Sequence, residues 1–129
     1  RSLTLKAKTV FQKGMLKGQN VSYGATWKAS KNTWISTLPI GYGDGFMRGL
    51  SGNAEVLYEG KRYPVVGKIC MDQMMIESPE KSVPNDAEMT LIGRSGEEVI
   101  TVENLAEQAR TIPYEILTNL NSRLPRYYL

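Results

Sequence analysis

Short stretches of β-type patterning, each cut off by glycine or proline, dominate this chain. A strand hides every second side chain, whereas a helix hides a stripe at three- and four-residue spacing. Residues 3–11 alternate: Leu3, Leu5, Ala7, Thr9 and Phe11 point one way, Thr4, Lys6 and Lys8 the other. Residues 13–14 and 17–20 carry turn chemistry, and residues 33–40 form a second β run that ends at Gly41. Residues 54–58 and 61–66 flank Glu59-Gly60, which predicts a hairpin with glycine in its turn. Residues 67–76 read as a further strand, 78–86 as a loop holding Pro79 and Pro84, and 88–92 and 97–100 as short strands around 93–96. Many short strands separated by turns predict a mainly β fold, a small antiparallel barrel-like domain with one or two short helices.

The clearest helical spacing covers residues 101–110. Thr101 can cap it, Glu103 falls in the first turn where the helix dipole favours negative charge, and Arg110 ends it. Val102, Leu105, Ala106 and Ala109 form its apolar face. A second short helix is expected to start at Pro113, and residues 122–129 form a closing strand or tail.

The 129 residues fit one domain, long enough to bury a core without cross-links. Sixteen lysines and arginines against 13 acidic residues leave a net charge of +3, spread along the chain without a polybasic block. That balance gives no independent case for nucleic acid. The one cysteine, Cys70, excludes an internal disulfide and fits a reducing cytoplasm. The start of the chain alternates and so lacks the apolar core of a signal peptide, and no apolar run is long enough for a membrane span.

There is no histidine, so proton chemistry near neutral pH would fall to tyrosine, lysine, a carboxylate or Cys70. Tyr23 stands out in Ser22-Tyr23-Gly24, between two small neighbours. On spacing alone it reads as a rim tyrosine, as do Tyr42 and Tyr114. Gly41-Tyr42-Gly43-Asp44-Gly45 looks like a phosphate loop, yet no helical pattern follows to aim backbone N–H groups at an anion. It reads instead as a folded turn in which glycine supplies positive φ. Cys70 lies in a strand pattern and reads as a small buried hydrophobe. Asp44 and Asp72 are far apart in sequence and make no metal site on their own. Met71, Met74 and Met75 read as core.

Four segments, taken in order, resemble the C-terminal domain of the alanine racemases. They are Ser22-Tyr23-Gly24-Ala25-Thr26, Pro39-Ile40-Gly41-Tyr42-Gly43-Asp44-Gly45, Val66-Gly67-Lys68-Ile69-Cys70-Met71-Asp72-Gln73, and Thr111-Ile112-Pro113-Tyr114-Glu115. Thr90-Leu91-Ile92-Gly93 and Arg123-Leu124-Pro125-Arg126 match as well. Each motif is modest; the ordered set spans essentially the whole chain and is specific.

The resemblance implies a two-domain pyridoxal 5'-phosphate enzyme that interconverts L- and D-alanine for cell-wall peptidoglycan. Residues 1–129 would be its C-terminal β domain. The (β/α)8 barrel, with the lysine that carries the cofactor, would precede Arg1, because a barrel needs about 250 residues. Racemisation needs bases on both faces of the substrate, and the resemblance gives one of them to Tyr23, acting on L-alanine. Its ordinary pKa near ~10 is high for a base, so neighbours in the barrel would have to ease its ionisation. Tyr23 would work in the active site of the other subunit of a head-to-tail homodimer. Met71 would arrive with it and offer its backbone N–H to the substrate carboxylate. Tyr114 would hydrogen-bond the cofactor phosphate. Tyr42, Arg48, Lys68 and Ile112 would line the entrance, with Asp72 nearby.

Two positions depart from the family pattern. Lys68 stands where many members have arginine, which keeps charge and loses the bidentate fork. Pro113 replaces a common asparagine and removes a backbone N–H. The resemblance implies that the isolated chain racemises nothing. Two rival readings are a racemase of the same fold for another amino acid, such as serine, and a non-enzymatic β-barrel module that binds nucleic acid.

Overall fold

The computed structural model describes residues 3–21, 27–41, 54–110 and 127–128. Among the described residues the elements run β1 Leu3–Lys8, β2 Phe11–Met15, β3 Asn20–Val21, β4 Trp27–Lys28, β5 Thr33–Leu38, β6 Glu55–Tyr58, β7 Lys61–Val66, β8 Met74–Ser78, β9 Glu88–Ser95, β10 Glu98–Ile100, α1 Val102–Ala109 and β11 Tyr127–Tyr128. The expected mainly β, antiparallel fold is what forms. Eight strands follow one hydrogen-bonded path, β11-β1-β9-β6-β7-β8-β5-β2, and β10 joins β9 beside it. A small separate ladder pairs β3 with β4. No described helix is long and apolar enough to cross a membrane.

The path curls strongly. β1 pairs with β9 and β2 with β5, yet only Thr9 and Val10 separate β1 from β2. The expected strand over residues 3–11 is therefore two strands, and Phe11 is 56% exposed where alternation placed it inside. The cause is at Thr9, which is fully buried. Its N–H donates to the Ala87 carbonyl (3.0 Å) and its carbonyl accepts from the Asp86 N–H (2.8 Å). Its Oγ1 donates to the Pro84 carbonyl (2.7 Å) and accepts from the Ala87 N–H (3.0 Å). The next residue crosses to the other side of the fold, where the Val10 N–H donates to the Thr37 carbonyl (3.0 Å). The shape is barrel-like in its curl, but no ladder among the described residues joins β1 to β2 and closes it.

Thr9→Val keeps shape and removes the hydroxyl, stranding the Ala87 N–H and a Pro84 carbonyl lone pair. A buried group left without its partner costs about 1–3 kcal/mol. Thr9→Val is expected to destabilise the domain by about 2 kcal/mol or more, while Thr9→Ser, which keeps the hydroxyl, costs about 1 kcal/mol. Equilibrium urea unfolding of the two variants checks the order; equal losses would remove the hydroxyl's role.

Alternation along β5, β7 and β8 divides their apolar side chains between two clusters. Leu38, Val65, Met74 and Ile76 join Val56, Leu57, Met89, Leu91 and Leu105 in the main core. Their neighbours on the opposite face, Ile35 and Val66, pack with Met15 and Ala29, against Trp27 and Met75. Helix α1 covers the main core with Leu105 and Ala106, both buried, as its spacing predicted. Thr101 and Asn104 cap it reciprocally: Thr101 Oγ1 accepts from the Asn104 N–H and Asn104 Oδ1 accepts from the Thr101 N–H.

The predicted hairpin forms between β6 and β7. Glu59 and Gly60 both have positive φ (49° and 78°), as a two-residue turn with right-handed twist requires. Arg62 then ties it to β10, donating to Glu98 (2.5 Å), to Glu55 (3.3 Å) and to the Val99 carbonyl (3.0 Å). The hydrogen bond to Glu98 is the largest reason its guanidinium pKa is raised.

Three other expectations are corrected. Lys13 and Gly14 lie inside β2, where Gly14 lies beneath the Trp34 ring, so they make no turn. β9 runs through residues 93–95, and the turn narrows to Gly96-Glu97. Residues 67–73 form a turn, and the following strand starts only at Met74. Gly67, at φ 71°, breaks the strand there.

Candidate functional site

The turn of residues 67–73 holds three of the predicted site residues: Lys68, Met71 and Asp72. All three are exposed, and Met71 is 61% accessible. The turn nonetheless has a fixed base. Ile69 is 1% exposed and belongs to the main core, and the Cys70 N–H donates to the Gln73 carbonyl (2.9 Å). Cys70 is half-buried in a turn, which corrects the expectation of a buried strand residue. Of the three methionines expected in the core, Met74 is fully buried, Met75 half-buried and Met71 outside.

A second predicted motif meets this turn in space. The β5–β8 ladder ends at Leu38↔Met74, so residues 39–41 leave the sheet beside residues 70–73. Ile40 (3% exposed) goes into the same core as Ile69. Gly41 then lies so close that a Cβ there would stand 2.1 Å from the Cys70 carbonyl oxygen, 2.8 Å from the Gln73 nitrogen and 2.9 Å from the Met71 carbonyl carbon. Positive φ is not the reason for glycine here, since Gly41 is absent from the positive-φ glycines that include Gly67. Close backbone approach is the reason, and nothing in the sequence distinguished the two.

A cleft of about 420 Å³ opens beside the turn. Val10, Phe11, Met15, Ile35 and Met75 supply its apolar lining, with Lys13 and Gln73 as polar members. Thr37 Oγ1 donates to the Met75 sulfur (3.3 Å), which fixes that side chain in the wall. Sequence reasoning did not single out this cleft, because it depends on Phe11 turning outward.

The remaining predicted site residues, Tyr23, Tyr42, Arg48, Ile112 and Tyr114, lie outside the described residues. The expected helix at Pro113 lies there too. The flanks of the Tyr23 segment are described: Val21 pairs with Trp27 and Asn20 with Lys28. The Gly18 N–H donates to the Ala29 carbonyl (2.8 Å) and the Ala29 N–H to the Gln19 carbonyl (2.9 Å), which extends the β3–β4 pairing.

Chemically, the described surface offers a backbone turn on a buried footing, with lysine and aspartate exposed beside it.

The chain is similar to known proteins along nearly its whole length. The family profile for "Alanine racemase, C-terminal domain" matches residues 2–128. The alanine racemase of Latilactobacillus sakei is 43% identical over 128 residues, covering 99% of this chain and 33% of that protein. The structure of alanine racemase from Bacillus anthracis with bound L-Ala-P superposes with a TM-score of 0.87 at 44% identity, covering 92% of this chain and 30% of that one. Alanine racemase from Bartonella henselae with covalently bound pyridoxal phosphate gives 0.88 at 29% identity, covering 98% and 34%. A histidine racemase from Leuconostoc mesenteroides gives 0.87 at 36% identity, covering 94% and 32%. The chain thus spans about a third of the length of the proteins it matches.

Proposed function

Since the chain belongs to the alanine racemase C-terminal domain family, we propose that it completes the active site of a pyridoxal-phosphate-dependent racemase that interconverts L- and D-alanine. The observation that carries this reading is the ordered match over residues 2–128, at 43% identity to an alanine racemase. In this reading Tyr23 is the base for L-alanine, and it acts across a homodimer interface. The Met71 N–H donates a hydrogen bond to the substrate carboxylate. Tyr42, Arg48, Lys68 and Ile112, with Asp72 nearby, line an entrance whose mixed charges suit a small zwitterion.

The donor set of this chain fits a one-sided contribution to the cofactor site. Around the described turn Lys68 and Asp72 are exposed and Gln73 lines the neighbouring cleft. Tyr114 would add one phenolic hydrogen bond to the cofactor phosphate, and the preceding barrel would hold the rest. When bound, the cofactor supplies the electron sink that makes an α-proton removable. The protein's share is to orient the carboxylate and to place a proton acceptor on one face of the substrate.

The likeness to a histidine racemase at 36% identity supports a second reading, the same chemistry on another amino acid. Family membership leaves the nucleic-acid module without support. The test is a substrate panel of L-alanine, L-serine and L-histidine on the full-length protein, with the 129-residue chain assayed beside it. The expected result is D-alanine formation with the highest kcat/KM for alanine, and no D-alanine from the chain alone. Preference for serine or histidine would replace the substrate. Turnover by the chain alone would overturn the need for a second domain.

A further inference from the structure

The Cys70 carbonyl and the Met71 N–H are the two ends of one peptide unit. That unit is planar and trans, so its C=O and N–H point in opposite directions. Gly41 is seated on the carbonyl end: the nearest atom to a Cβ built there is the Cys70 oxygen, at 2.1 Å. Real Cβ atoms essentially never approach within 3.0 Å, so with any residue other than glycine that oxygen must shift. Moving the oxygen rotates the peptide plane, and rotation swings the Met71 N–H with it. The same Cβ would also press on Gln73 N and Met71 C, so sliding the turn sideways gives no relief. Residues 40 and 69 are both buried in the main core, which prevents the two backbones from simply separating.

We infer that Gly41 is a positioning residue, which aims the Met71 N–H by supporting the back of the Cys70–Met71 peptide. This rests on the reading of Met71 as the substrate-carboxylate donor. It also gives a physical role to the glycine immediately before Tyr42. Gly41 and the turn of residues 70–73 are registered against each other through close backbone approach.

The experiment uses the full-length racemase. Gly41→Ala is expected to raise KM for L-alanine about ten- to a hundred-fold, the range for losing a hydrogen bond to a charged group, with kcat within about threefold. The inhibition constant of propionate, alanine without its amino group, rises by the same factor. That of ethylamine, which lacks the carboxylate, does not change. A general loss of structure would move both. An amide-to-ester replacement at position 71, which deletes the N–H alone, tests the underlying reading separately. If the ester leaves KM unchanged, the role of Met71 falls and the inference with it. If the ester raises KM and Gly41→Ala does not, the inference about Gly41 falls while the Met71 reading stands. Should Gly41→Ala not fold, hydrogen exchange on the unmutated protein decides. The amides of residues 40–41 and 70–73 are expected to open together and to gain protection together when propionate binds. Independent opening overturns the inference.

Discussion

Under the proposed function, Tyr23→Phe in the full-length protein is expected to lower L-alanine turnover by about 10²–10⁴-fold, the usual contribution of a positioned acid–base group. The substitution keeps the ring and removes the O–H. Cofactor content, read from the absorbance of the holoenzyme, should therefore be unchanged. The two faces of the substrate should then part company. Exchange of the α-proton of D-alanine with deuterated solvent uses the opposite face and is expected to persist. Exchange from L-alanine should fall with turnover. Turnover within a few-fold of the unmutated enzyme would end the assignment of Tyr23. Equal loss of exchange from both enantiomers would point to damaged binding in place of a lost base. The residues on either side of Tyr23's segment, Val21 and Trp27, are register partners.

Leu57→Ala is expected to produce the largest loss of stability. Leu57 is fully buried, in the strand that joins the β6–β7 hairpin to β9, with Arg62 and Thr90 as its register partners. Truncating a leucine in such a site costs about 2–5 kcal/mol, because the cavity collapses only partly. For a domain of this size that corresponds to a fall of roughly 10–20 °C in the midpoint of its thermal transition. Phe11→Ala is the matched control. Its ring is larger but 56% exposed, and its loss is expected to cost within about 0.5 kcal/mol. Comparable losses from the two would mean that the division between core and surface drawn through β2 is wrong.

Local rules read much of this fold from the chain. The hairpin at Glu59-Gly60 was legible because its turn demands positive φ at both residues, and glycine at one of them announces it. Helix α1 was legible because its cap, its first-turn acid and its apolar face all lie within ten consecutive residues. Alternation failed over residues 3–11 for a physical reason. Pattern reports which side chains are apolar, and it does not report that Thr9 would make four hydrogen bonds with residues 84–87, donating two and accepting two, and turn the chain across the fold. It failed again at residues 67–73, where Ile69 and Met74 suggested one strand and Gly67 broke it.

The candidate site divides along the same line. Sequence alone determined which motifs are present and in what order, and those motifs named Tyr23, Met71 and the entrance residues through a family resemblance. The chemistry proposed for Tyr23 is carried by residue identity, which a linear pattern records, whereas that proposed for Met71 is a backbone N–H whose aim the pattern does not record. Only the tertiary structure decided that Gly41 lies against the Cys70 carbonyl, that Met71 stands outward while Met74 is buried, and that a cleft opens beneath Phe11. Those facts follow from the pairing of β5 with β8 and from the crossing at Thr9, contacts between residues distant in the chain. A close backbone approach leaves no signature beyond a glycine, and a glycine in sequence looks the same whether it supplies a turn or makes room for a neighbour.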